Sequence, residues 1–117
     1  MVIRQGDIFW LELDEPQGSE PGYKHPHVVI QNDAFNISNI NTAIVIALTS
    51  NLKRATTPGN VMLRKGEGNL PKKSVVNSSQ ILTVNKSDLI HKIGTLSANR
   101  IDEIIAGINT IIQRNIF

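Results

Sequence analysis

The run Thr42-Ala43-Ile44-Val45-Ile46-Ala47-Leu48-Thr49 sets the terms for the whole chain. Its β-branched content predicts a strand. A strand that is apolar on both faces needs cover above and below, which places it in the middle of a sheet. Its candidate partners are short. Residues 5–13 read as a first strand, with Ile8, Trp10 and Glu12 on one face and Phe9, Leu11 and Leu13 on the other. His27–Gln31, Val61–Leu63, Lys73–Val76 and Lys92–Leu96 follow as further strands. Asp14–Tyr23 reads as a loop, 32–41 as a polar connection, 50–59 as a basic loop and 65–71 as a turn. Asn85 is placed to cap a one- to two-turn helix, with Asp88 at its third position and Leu89 and Ile90 facing inward.

The end of the chain changes period. Ser97 is a good N-cap, and Ile101, Ile104, Ile105, Ile108, Ile111 and Ile112 recur at spacings of 3, 1, 3, 3 and 1. That predicts an amphipathic helix over 98–112 whose isoleucine face packs across the sheet. Five or six short strands and one terminal helix imply a mainly β domain with a little α, curled into a small open barrel. Nothing marks a linker or a repeat, so 1–117 is expected to be a single domain.

Composition narrows the chemistry. There is no cysteine, hence no disulfide framework and no thiol nucleophile. The three histidines lack an HxxxH or HExxH spacing, so neither a metal site nor a cofactor is expected. No apolar run is long enough to span a bilayer and no signal-peptide core opens the chain, which points to the cytoplasm and away from a membrane. Net charge is only +2, yet 52–73 holds Lys53, Arg54, Arg64, Lys65, Lys72 and Lys73 against one acid, Glu67. Local cations, not net charge, attract a polyanion, and such a stretch suits a phosphate-bearing partner.

The chemistry is expected where a polar loop meets a rigid strand, in Gly18-Ser19-Glu20-Pro21-Gly22-Tyr23-Lys24-His25-Pro26-His27-Val28-Val29-Ile30-Gln31-Asn32-Asp33. Pro26 biases His25 toward extended backbone. Imidazole exchanges protons near neutral pH, so His25 is a candidate acid–base group, whereas His27 reads better as a half-buried strand histidine. Tyr23 is the aromatic best placed to stack on a base, while Phe9 and Trp10 read as core or subunit interface.

Taken in order, Gly6-Asp7-Ile8-Phe9-Trp10, Gly18-Ser19-Glu20-Pro21-Gly22, Pro26 with Val28-Val29-Ile30-Gln31-Asn32-Asp33, Ala47-Leu48-Thr49-Ser50, Leu70-Pro71-Lys72-Lys73-Ser74-Val75-Val76-Asn77 and Gln80 closely resemble the MazF/PemK toxins of bacterial toxin–antitoxin systems. The resemblance covers essentially the full chain. It implies an SH3-like barrel of the CcdB/PemK type with a C-terminal helix, a homodimer, and an endoribonuclease that needs no metal. Such enzymes cut single-stranded RNA by attack of the ribose 2′-hydroxyl on the adjacent phosphate, leaving a 2′,3′-cyclic phosphate and a 5′-hydroxyl. It further implies a cognate antitoxin whose disordered segment covers the RNA groove.

Members of that family usually carry Arg immediately before the proline, where this chain has His25. The resemblance gives that position proton transfer and phosphate contact, and gives Thr49 the stabilisation of charge on the phosphate. Histidine lacks the permanent charge and the fork of arginine, and Lys24 next door is the candidate to supply the charge. Ser19, Glu20, Tyr23, Gln31, Asn32, Ser50, Lys53, Arg54 and Gln80 are the expected RNA contacts. Two other readings compete: a non-enzymatic toxin of the same barrel type that binds DNA gyrase as CcdB does, and an inactive relative that only binds RNA. CcdB-like chains end in Trp-Gly-Ile, whereas this one ends Arg114-Asn115-Ile116-Phe117.

Overall fold

The computed structural model describes residues 2–12 and 24–116. The apolar run forms β3 (Thr42–Thr49), and it lies inside the sheet as its composition requires. Six antiparallel strands follow the order β4-β5-β3-β2-β1-β6, where β1 is Asp7–Glu12, β2 Lys24–Val29, β4 Val61–Leu63, β5 Ser74–Asn85 and β6 His91–Thr95. The helix α2 spans Ala98–Ile112, as the isoleucine spacing predicts, and the Ser97 hydroxyl accepts the Arg100 N–H at 3.3 Å.

Strand alternation sends neighbouring residues to opposite sides. Ile8, Val28, Ile46, Leu48, Leu63, Leu70, Val76 and Leu96 gather with Ile104 and Ile108 of α2 in one core. Phe9, Leu11, Val29, Ala43 and Val45 gather with Ile3 and Leu89 in another. Adjacent pairs such as Ile8/Phe9, Val28/Val29 and Val45/Ile46 are thus divided between the two cores, which is why β3 tolerates no polar interior position. The isoleucine face of α2 is only partly used. Ile104 and Ile108 are buried and Ile101 and Ile105 half-buried, but Ile111 and Ile112 stay 42% and 65% exposed.

The sheet curls until its two edges nearly meet. The 3₁₀ turn Glu67–Asn69, which leads from β4 toward β5, lies against β6: Asn69 Nδ2 donates to the Ile93 carbonyl at 3.0 Å, and a Cβ on Gly94 would collide with the Gly68 carbonyl. Only glycine permits that approach. The turn is clamped to α2 by Arg100, whose Nε and Nη2 donate to the two Glu67 carboxylate oxygens at 2.8 and 3.0 Å. Glu67 also accepts the Arg64 N–H. These bonds hold the Glu67 carboxyl below its ordinary value and raise the guanidinium's, with the Arg100 hydrogen bonds as the main cause.

Several expectations are corrected. β2 starts at Lys24, before the expected His27, so Lys24 and His25 are strand residues. Proline is tolerated inside this strand because β3 pairs β2 only over His27–Val29, leaving Pro26 with β1 alone. The short strand expected at 73–76 continues to Asn85. It pairs β4 with Ser74–Val76 and β3 along most of its length, and a register shift between Ile46 and Leu48 bends it. The polar connection contains one helical turn, α1 (Asp33–Asn36), capped by the Asn32 side chain. The helix expected after Asn85 is a single 3₁₀ turn, Lys86–Asp88, to which the Asn85 side chain gives no cap hydrogen bond; Leu89 is buried there and Ile90 exposed. The basic loop includes the 3₁₀ turn Leu52–Thr56. Among the described residues no helix is long and apolar enough to cross a membrane.

Candidate active site

A cleft of about 250 Å³ opens where β2 begins and β3 ends, lined by residues that include Lys24, His25, Pro26, Thr49 and Ser50. Sheet register explains the convergence. His27 lies opposite Ala47, so continuing the antiparallel pairing by two residues brings His25 across from Thr49. The opposite wall comes from the segment leading into β5, with Pro71, Lys72 and Ser74. That segment belongs to the motif series that carries the family resemblance, which assigns no site role to Pro71, Lys72 or Ser74. Lys72 is exposed, whereas Ser74 is buried and its hydroxyl donates to the Lys72 carbonyl at 2.9 Å, fixing the backbone that carries the lysine.

Thr49 is held with its donor to spare. Its Oγ1 accepts the Asn51 N–H at 3.1 Å, and the hydroxyl proton remains to be given to an oxygen in the cleft. Asn51 in turn accepts the Lys53 N–H through its side chain at 3.2 Å, which starts the turn carrying Lys53 and Arg54, both exposed. The half-buried His25 is fixed by its backbone. Its carbonyl accepts from His27 Nδ1 at 2.8 Å, an acceptor that requires the proton on Nδ1. His27 itself is wholly buried, and its Nε2 has no hydrogen-bond partner among the described residues. Burial first, and the neighbouring His25 second among the opposing causes, press its pKa below 6.5 against the pull of that backbone bond. His27 is thus a neutral brace under His25, more deeply buried than its reading as half-buried.

Other expected contacts lie elsewhere. The Gln31 amide donates to Asn36 Oδ1 at 3.0 Å and to the Thr42 carbonyl at 3.2 Å, and accepts the Ile44 N–H at 3.3 Å. Asn32 accepts the Ala34 N–H at 2.8 Å. Both border an apolar hollow with Ile30, Phe35 and Ile44, past the far end of β2 from His25. Gln80 is exposed midway along β5. Ser19, Glu20 and Tyr23 lie outside the described residues. Trp10, expected in the core or an interface, is half-buried and lines the cleft, while Phe9 is fully buried. Among the described residues no group of three or more His, Asp or Glu is placed to hold a metal ion.

A curled six-stranded sheet closed by a C-terminal helix, with histidine, threonine and lysines around one small cleft, is a half-barrel β domain with a candidate site at the strand ends. The sequence matches the family described as PemK-like, MazF-like toxin of type II toxin-antitoxin system over residues 4–112. The chain belongs to that family. It is 39% identical over 113 residues, 97% of its own length and 99% of the relative's, to Endoribonuclease MazF2 of Mycobacterium bovis and equally to Endoribonuclease MazF6 of Mycobacterium tuberculosis. In fold it is similar to a mycobacterial endoribonuclease solved in complex with its cognate antitoxin, with a TM-score of 0.75, 19% identity and 97% of each chain covered. MazF from Deinococcus radiodurans superposes with a TM-score of 0.75 at 20% identity, over 97% of this chain and 99% of that one.

Proposed function

We propose that residues 1–117 form one toxin domain that cuts single-stranded RNA by metal-independent transesterification. The observation that carries the reading is the meeting of His25, Thr49, Ser50 and Lys24 in one cleft, in a chain whose relatives are named endoribonucleases. The substrate brings its own nucleophile. With the scissile phosphate in the cleft, His25 takes the proton of the ribose 2′-hydroxyl as that oxygen bonds to phosphorus. The Thr49 hydroxyl donates to a non-bridging oxygen, where negative charge builds up. Lys24 and Lys72 supply the fixed positive charge that histidine lacks at the arginine position. The bond to the 5′-oxygen breaks, that oxygen takes a proton from solvent water, and the products end in a 2′,3′-cyclic phosphate and a 5′-hydroxyl. Lys53 and Arg54, on the turn after Ser50, extend the cationic track for flanking phosphates.

The partners that fit are a second copy of the chain and an antitoxin, the latter supported by the solved complexes of fold relatives. Ile44 and Ile81 are diagonal neighbours on one face of β3 and β5, 40% and 39% exposed, and Ile111 and Ile112 extend the exposed apolar surface at the end of α2. A homodimer interface is the reading for these residues. The names of the relatives favour the nuclease over the gyrase-binding alternative. Incubation of the purified protein with a long single-stranded RNA, followed by mapping of the cuts, tests the activity. Discrete cuts that disappear in His25→Ala are expected; cuts that persist unchanged in His25→Ala remove His25 from the proton transfer.

A further inference from the structure

A second cavity, about 480 Å³, lies beside the first and shares Trp10 and Lys24 with it. Its other walls come from the end of β1, the start of β3, the end of β5 and the β5–β6 connection, which the proposed reaction does not use. We infer that this cavity is a nucleobase subsite, taking a base next to the scissile phosphate and preferring one whose edge donates hydrogen bonds, guanine above all. The inference rests on the endoribonuclease reading for the origin of its ligand.

Aromatic side chains form part of the wall. Trp10 pairs with His91 across β1 and β6, and both line the cavity, so two aromatic rings belong to its wall. Ring faces of this kind take a base by stacking, whatever its identity. Charge separates base from backbone. Glu12 and Asp88 both line the cavity, and carboxylates repel a phosphodiester, so the base enters and the backbone stays outside. Lys24 lines both cavities and is placed to hold the phosphate between them.

One edge of the cavity is polar. The Asn85 side chain is not spent on capping the 86–88 turn and instead faces the cavity with Asp88. A carboxylate only accepts hydrogen bonds. Guanine offers it two adjacent donors, N1–H and the exocyclic amine, whereas uracil offers one N–H flanked by two carbonyl oxygens that would face the carboxylate. Of the two acids, Asp88 belongs to the turn that Asn85 opens, so it is the carboxylate placed to read the edge together with that amide.

Trp10 is the single tryptophan of the chain, so its fluorescence reports occupancy directly. The wild-type protein is titrated with 5′-GMP and with 5′-UMP, alongside Asp88→Asn, Asn85→Ala and Thr49→Val. Saturable quenching by GMP is expected, roughly tenfold or more tighter than by UMP. It should survive Thr49→Val, because Thr49 lines only the first cleft, and should weaken by a similar factor in Asp88→Asn and less in Asn85→Ala. Equal affinity for GMP and UMP, no saturable GMP signal, or a signal unmoved by both Asp88→Asn and Asn85→Ala would overturn the inference. A cavity that takes a segment of a protein partner also gives no nucleotide signal. The readout needs no cleavage: a GMP signal in a protein that cuts no RNA keeps the subsite and sinks the nuclease reading, and cutting without a GMP signal does the opposite.

Discussion

Arg100→Ala removes the clamp between α2 and the 67–69 turn, and its cost follows from the geometry. The guanidinium donates two charge-assisted bonds to Glu67 at 2.8 and 3.0 Å, with both side chains only about one-fifth exposed. A third bond, to Glu103 at 2.7 Å, joins a half-exposed carboxylate three residues on and contributes little. Truncation leaves Glu67 with the Arg64 N–H and a longer contact to the exposed Arg64 side chain at 3.9 Å. Losing two charged hydrogen bonds at partial burial costs about 2–3 kcal/mol, or a fall in melting temperature of roughly 6–15 °C for a domain of this size.

The pH dependence gives a sharper test. Because the folded Glu67 carboxyl lies below its ordinary 4.5, its contribution is present above that value and is lost as pH falls through the folded pKa. The gap between wild type and Arg100→Ala is therefore full at neutral pH and closes in the acid range. Denaturant unfolding at a series of pH values measures it. A gap under about 0.5 kcal/mol at neutral pH, or one that does not change with acidification, would refute the reasoning. The clamp matters to the site because the chain runs from this turn through Leu70 to Pro71 and Lys72 on the cleft wall.

Three further outcomes are expected. Thr49→Val keeps the shape of the side chain but removes the donor, and single-turnover cleavage should slow by about 10²–10³-fold with RNA binding little changed. Because burial holds the His27 pKa below 6.5, the unfolded chain takes up the proton first as pH falls, so stability drops below that pH by up to about 1.4 kcal/mol per unit. This slope should be missing in His27→Leu when unfolding is compared at about pH 7.5 and 5.5. Ile44→Lys or Ile111→Lys should turn a dimer into a monomer in sedimentation; a wild type that sediments as a monomer would remove the interface.

The fold was legible where one pattern dominated. An unbroken apolar strand and isoleucines at helical spacing each admit one placement, and β3 and α2 have the expected bounds. β5 runs on beyond the expected Lys73–Val76: β3 pairs with it past Asn77-Ser78-Ser79-Gln80, and Ser78 is satisfied by a non-local partner, its hydroxyl donating to the Gly59 carbonyl at 2.6 Å. Such bonds leave no local mark. The cleft was legible in part. His25 and Thr49 come together through register, but Gln31 and Asn32 are spent on Ile44, Thr42 and Ala34, and no spacing rule separates an amide that braces a turn from one that reads a base. Lys72 joins the cleft through the β3–β5 pairing, in which Thr49 lies opposite Val75, a long-range register that a strand pattern does not carry.

The most direct measurement is the chemistry of the ends produced when the purified protein cuts a defined single-stranded RNA in EDTA. The account predicts 5′-hydroxyl ends and 2′,3′-cyclic phosphates, with cutting lost when the 2′-hydroxyl at the scissile position is replaced by hydrogen. Ends bearing a 5′-phosphate, or cutting of the 2′-deoxy substrate at that position, would contradict it.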